Sequence, residues 1–159
     1  MKYLKIIFCI LPFLLLFFAC SQEDDICTEG GSPRMKVKFK KEGKLYTVDS
    51  LSIGIISDHK ILKVLDNVKD VDSVYIPLKV NGEGYTDILV QSNLSVKDNY
   101  SEIRVKYDEK SEYVSPGCGI RKLYDHLSAI IRKPQEVKSI EVNANQIHDE
   151  NKTVLYLNF

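Results

Sequence analysis

The sequence has no surplus of positive charge: 22 Lys and Arg stand against 22 Asp and Glu. Nucleic-acid binding draws on the neutralisation of phosphates, so this chain lacks its main driving force. It has no Trp, although nine Tyr are present. It has no Cys-x-x-Cys and no His-x-x-x-His spacing, the arrangements that bring two ligands to one metal ion. His59, His126 and His148 are scattered along the chain. Gly-x-x-x-x-Gly-Lys and Gly-x-Ser-x-Gly are also missing, which removes the phosphate cradle and the nucleophile elbow. These absences predict no catalytic residue, no metal, no cofactor and no nucleic-acid partner. They do not predict disorder, because the hydrophobic content is 44%, ordinary for a folded domain.

No apolar run is long enough for a comfortable membrane span, which needs roughly 20 residues. The longest, Ile6 to Ala19, is interrupted by Pro12 and follows Lys2 and Lys5. That is the pattern of a signal peptide. It ends in Leu16-Phe17-Phe18-Ala19-Cys20, which resembles the bacterial lipobox. The resemblance implies cleavage before Cys20 and acylation of its thiol and new amino terminus. Phe18 departs from the small residue usual there. Several acyl chains anchor firmly where one holds marginally, at about 0.8 kcal/mol per buried methylene. The alternatives are an ordinary cleaved signal or an uncleaved anchor, with Cys20 incidental. Glu23, Asp24 and Asp25 follow. They resemble the acidic export tag of Bacteroidetes-type lipoproteins, which implies the outer face of the outer membrane. Read from charge alone they are a solvated linker repelled by anionic lipid. The periplasmic face is the alternative location.

Residues 1–19 are thus the expected signal, 20–33 the lipidated Cys and acidic linker, and 34–159 one β-domain. Lys2 and Lys5 leave with the signal, so 20 basic residues face 22 acidic ones in the mature chain. Of four Cys, Cys9 is lost with the signal and Cys20 is lipidated. Cys27 and Cys118 remain, in a compartment that permits disulfides. Their bridge would stabilise by up to roughly 4–5 kcal/mol. The alternative is two free or metal-binding thiols.

Alternation marks the strands. Met35, Val37 and Phe39 share one face, with lysines opposite that would suit an edge strand. Leu51, Ile53 and Ile55 share another. Ile61 to Leu65 is weakly a strand, and 66–70 reads as polar loop. Val74, Ile76 and Leu78 align, with Pro77 marking an edge strand or bulge. Asn81-Gly82-Glu83-Gly84 is the strongest hairpin signal, with Tyr85 to Gln91 returning. Ile103, Val105 and Tyr107 alternate before a turn at 108–110. Residues 120–131 fit a helical period through Ile120, Leu123, Tyr124, Leu127, Ile130 and Ile131, and fit a strand as well. Val137 to Val142 and Lys152 to Phe159 close the chain, the latter docked in a sheet. Seven to nine short strands at this spacing predict a mainly β fold, an antiparallel β-sandwich.

Ile26-Cys27-Thr28-Glu29-Gly30, Ser32 to Phe39, and Tyr113-Val114-Ser115-Pro116-Gly117-Cys118-Gly119-Ile120 resemble the two Cys-centred blocks of a family of small uncharacterised Bacteroidetes lipoproteins of unknown function. Thr153 to Phe159 is similar to its apolar ending. The resemblance implies an immunoglobulin-like or related sandwich, a Cys27–Cys118 bridge, and a strand after Cys118. It implies no activity.

Two Asp-Ser-aliphatic tripeptides, at Ser50 and Ser73, look like the O-glycosylation motif that Bacteroidetes use. Cys118 with His126 could form a nucleophile pair, against the plain reading of a disulfide and a surface His. Together these observations predict a non-enzymatic outer-membrane lipoprotein that binds an envelope protein or a glycan. A structural or assembly factor is the alternative, and a hydrolase with an unrecognised acidic site is another.

Overall fold

The computed structural model describes residues 30–92 and 99–159. The expected signal, Cys20, the acidic tag and Cys27 lie outside the described residues. Ten strands form among the described residues: β1 (Met35–Lys41), β2 (Lys44–Leu45), β3 (Val48–Ser57), β4 (Lys60–Val71), β5 (Ser73–Ile76), β6 (Tyr85–Gln91), β7 (Ser101–Ser115), β8 (Gly119–Lys133), β9 (Ser139–Val142) and β10 (Thr153–Asn158). One five-stranded sheet runs β2-β1-β10-β9, with β5 also paired to β1. The other runs β4-β3-β6-β7-β8 and is antiparallel throughout. Their inner faces close over one core that includes Met35, Phe39, Leu51, Ile53, Ile103 and Leu157. This is the expected mainly β sandwich.

Alternation places β1 as expected, with Met35, Val37 and Phe39 all buried. It is not an edge strand, however. Its far side pairs in parallel with β10, and its near side pairs with β5 and β2. The outward lysines lie against aromatic faces instead: Lys36 Nζ is 5.3 Å from the centre of the Tyr75 ring and Lys40 Nζ is 4.0 Å from that of Tyr156. Cation–π contact gives these ammonium groups partners on the sheet surface.

Two strands are longer than expected because two anticipated breaks do not end them, and an anticipated hairpin does not form. Residues 66–70 continue β4, with register shifts opposite Leu51, Ile53 and Gly54. Asn67 (φ 51°) and Asp70 (φ 55°) take the left-handed backbone there; bulges accommodate such residues on an edge strand. Residues 108–110 run straight through β7, each paired with β8. Asn81–Gly84 is a turn with Gly82 and Gly84 at φ 78° and 70°, yet it forms no hairpin. Pro77 cannot donate to a ladder, β5 ends at Ile76, and the chain crosses to the other sheet.

Residues 120–131 belong to β8, as the family resemblance implies and against the helical period. Tyr124 and Leu127 are both buried, three positions apart. An extra residue in β8 opposite Tyr107 explains this, since Lys106 pairs with Ser128 while Asp108 pairs with Asp125. His126 sits at φ 52° in that bulge. One added residue restores the face after three positions instead of two, which imitates a helical spacing. The chain end is docked as expected: the Phe159 amide donates to Lys40 O at 2.9 Å, and its ring meets Phe39 edge-on at 5.9 Å.

Candidate binding site

The outer face of the β4–β8 sheet carries a cavity of about 340 Å³. Alternation in β3 sends Ile53 and Ile55 to the core and turns Ser52 and Gly54 outward. Gly54 lies opposite Lys63 of β4 and Leu89 of β6. A Cβ at position 54 would stand 2.6 Å from Ile61 Cγ2, closer than atoms pack. The glycine is therefore what lets Ile61 lie across the strand. Ile61 and Leu65 with Lys63 and Asp66 line the cavity from β4, and Leu89, Gln91 and Tyr100 line it from the other side.

Buried polar contacts fix that far wall. Ser101 Oγ, fully buried, accepts from the amides of Gln135 (3.2 Å), Glu136 (3.0 Å) and Val137 (2.9 Å). The Glu136 carboxylate accepts from the Ser92 amide and from Asn99 Nδ2 at 2.9 Å. Lys133 Nζ stands 3.8 Å from the centre of the Tyr100 ring. Tyr100 is thus held from the turn after β8.

A line of paired charges continues from the cavity across β6, β7 and β8. Leu89 lies opposite Glu102, and Asp87 opposite Arg104. The Arg104 guanidinium donates through Nε and Nη2 to the two Asp87 oxygens, each at 2.6 Å. That fork also lies 4.0 Å from the centre of the Tyr85 ring. The hydrogen bonds to Asp87 push the Arg104 pKa up. Arg132 is held more loosely, with Nη1 3.3 Å from Glu102 and 3.6 Å from Asp87. On the cavity's other side Lys63 pairs with Asp66 at 2.7 Å. Asp87 is 8% exposed, so removing its Arg104 partner would leave a nearly buried carboxylate with only the longer contact to Arg132 at 3.6 Å, and such a loss is destabilising. The cavity offers an apolar floor, an aromatic wall and the polar groups of Ser52, Lys63, Asp66 and Gln91, the composition of a binding pocket.

The residues singled out by sequence do not gather here. Ser50 lies in β3 and its hydroxyl donates to Asn67 Oδ1 at 2.7 Å. Ser73 opens β5 in the other sheet, its hydroxyl 2.9 Å from Asp72 Oδ1. Cys118 sits in the β7–β8 turn and is disulfide-bonded; Cys27 lies outside the described residues. His126 is eight residues further along, roughly 25 Å at the rise of a strand, and its Nδ1 faces Asp108 Oδ2 at 2.9 Å. The structure does not bring Cys118 and His126 together. His148 pairs with Asp125 at 2.8 Å, and His59 lies in the β3–β4 turn. No group of three His, Cys, Asp or Glu suited to a metal occurs among the described residues. Glu83 and Glu150 have lowered pKa values, caused first by hydrogen bonds from Lys79 and Arg34. A hydrolytic general acid needs the opposite shift.

Two signals for the site were present in the sequence. Gly54 interrupts an apolar strand, a mark of close approach by backbone or ligand. Thr86-Asp87 interrupts another that is otherwise apolar from Ile88 to Val90. Neither signal says which distant residues would meet.

Residues 50–159 match the model of a family of unknown function (DUF6452). That span includes the second Cys-centred block and the closing strand, and leaves out the first block. It is more than half of the chain, and the chain belongs to this family. No curated protein and no solved structure matches it.

Proposed function

We propose that this member of a family of unknown function is a lipid-anchored, non-catalytic binding module of the outer membrane, and that the Gly54 cavity receives a glycan. The observation that carries the reading is the cavity itself. An apolar floor at Gly54 and Leu89 beside Tyr100 suits the carbon face of a sugar ring, and Ser52, Lys63, Asp66 and Gln91 of the lining supply donors and acceptors for hydroxyls. The anchor rests on Cys20 and the acidic tag on residues 23–25, which also support placement at the cell surface.

Gly54→Leu tests the site. The added side chain fills the floor, so glycan-array binding falls at least tenfold while the melting transition persists. An array that shows no signal for the unsubstituted protein sinks the reading. The anchor is tested separately: mass spectrometry of membrane-fractionated protein detects the acyl mass in the wild type and loses it in Cys20→Ala. Equal mass additions in both would remove the anchor.

A second reading, an envelope assembly factor, draws on the distal β7–β8 hairpin. Tyr113 and Ile120 pair directly at its tip and are 65% and 69% exposed. Exposed apolar pairs of this kind mark protein contacts when they form part of a larger patch.

A further inference from the structure

We propose that the outer face of the β2-β1-β10-β9 sheet binds an acidic, uronate-bearing polysaccharide laid along β1, on a surface separate from the Gly54 cavity. The inference starts from the alternating lysines of β1. Edge protection would explain them, but β1 is paired on both sides. Lys36, Lys38 and Lys40 therefore stand together on one face of an interior strand. Same-face residues are about 7 Å apart along a strand, close enough for the three ammonium groups to repel one another. Three transverse rows cross this face. Tyr75 lies opposite Lys36. Ser73, Lys38, Tyr156 and Glu141 follow in order across β5, β1, β10 and β9. Leu45, Lys40, Asn158 and Ser139 do so across β2, β1, β10 and β9.

Glu141 takes Lys40 at 2.7 Å, and Glu150 takes the Arg34 guanidinium through both oxygens. Asp72 stands at the β5 margin, where it accepts from the Ser73 hydroxyl. Lys36 Nζ lies over the Tyr75 ring and reaches Asn151 O at 3.4 Å, and neither contact carries a full opposite charge. Lys38 is part-buried and has no hydrogen-bond, ion-pair or ring partner among the described residues. Part-buried ammonium groups on a rigid sheet lose little freedom when a ligand arrives. A uronate carboxylate would give each a charge-assisted hydrogen bond. Ser139, Asn158 and Glu141 beside them donate to and accept from sugar hydroxyls. A phospholipid surface calls instead for apolar side chains, and these rows carry Leu45 alone, at the β2 margin. The acids Glu23, Asp24 and Asp25 that precede the domain also disfavour an anionic membrane plane.

The test is titration calorimetry of hexagalacturonate and hexamannuronate on the chain from residue 20 onward, kept unlipidated by Cys20→Ala. At least one of the two binds, and raising the salt from about 50 to about 300 mM weakens it at least about fivefold. Lys36→Gln combined with Lys38→Gln weakens it at least about tenfold. Lys106→Gln removes an exposed charge from the other sheet and changes the affinity less than about twofold. Melting curves confirm that the variants are folded. Binding that is absent for both uronates, unmoved by the double substitution, or weakened as much by Lys106→Gln overturns the inference. So does tighter binding to phosphatidylglycerol vesicles that the same double substitution abolishes, which would assign the face to a membrane surface. Each of these results leaves the Gly54 cavity to be judged by Gly54→Leu.

Discussion

Thr86 shows how a single hydroxyl can hold a chain crossing. It is fully buried, and its Oγ accepts from the Lys79 amide at 2.9 Å. The Tyr107 hydroxyl donates to Lys79 O at 2.7 Å, so the 2.7 Å contact between Tyr107 and Thr86 is donated by Thr86. These three bonds close a ring that fixes the strand-to-strand crossing after Pro77. Thr86→Val keeps the shape and leaves the Lys79 amide without its acceptor. The expected loss is about 1–3 kcal/mol, read as a lower urea midpoint with an unchanged slope. Burial also pushes the Tyr107 and Tyr124 pKa values up to about 12. Unfolded tyrosine ionises near pH 10. Below pH 10 this contribution to stability is complete. Between pH 10 and 12 the unfolded chain loses protons that the folded chain keeps, so stability falls, and the contribution is gone above 12. Denaturant titrations across that range should show the decline, with a shallower slope for Tyr124→Phe. An equal slope in the variant would place the ionising group elsewhere.

At the scale of elements, the bulge in β8 governs which residues reach the core. His126 occupies the added position. Beyond it the edge of β8 is covered by residues 145–147, where the Leu127 amide donates to Asn145 O at 2.7 Å and Tyr124 exchanges bonds with Ile147. Deleting His126 would leave Tyr124, Asp125 and Leu127 in unbroken alternation, with Leu127 opposite Tyr107. Tyr124 and Leu127 then both keep the core face, and only the exposed contact of His126 with Asp108 is lost. The expected change is within about 1 kcal/mol, read as a cooperative melt close to that of the parent. A collapsed melt would show that the bulge itself is required by the fold. The same bulge explains where sequence reading succeeded and failed. Regular alternation identified the buried faces of β1, β3 and the first half of β7, because each keeps a period of two. It left β8 open between helix and strand, because the extra residue turns a strand period into a helical one. It also broke β4 at Asp66–Asp70, since polar residues at bulges look like loop. Asn81-Gly82 carried real turn chemistry, but local chemistry does not say whether the next strand stays in the same sheet. The candidate site suffered most from this limit. Gly54 and Asp87 were visible as irregularities, whereas their meeting with Tyr100, Arg104 and Arg132 depends on which strands pair.

On the scale of the whole molecule, the sandwich depends on its last strand. β10 lies between β1 and β9 and joins the two ends of the domain through a parallel pairing. Val154, Leu155 and Leu157 are each 1% exposed. Burial of each contributes about 1.5–3 kcal/mol, so together they approach the 5–15 kcal/mol total stability of an ordinary domain. Their loss would also expose one edge of β1 and leave β9 without its sheet partner. Removing residues 153–159 should therefore abolish the cooperative thermal transition and leave a protease-sensitive chain. Removing residues 1–19, the expected cleaved signal, should leave the transition unchanged. Circular dichroism melts of the two truncations provide the comparison. A truncation at Lys152 that still melts cooperatively would mean that the β4–β8 sheet is stable without the second layer. In that case the Gly54 cavity, which lies wholly on that sheet and its flanking turn, should retain the sugar binding proposed for it; if the domain folds as one unit, that binding should disappear with the melt.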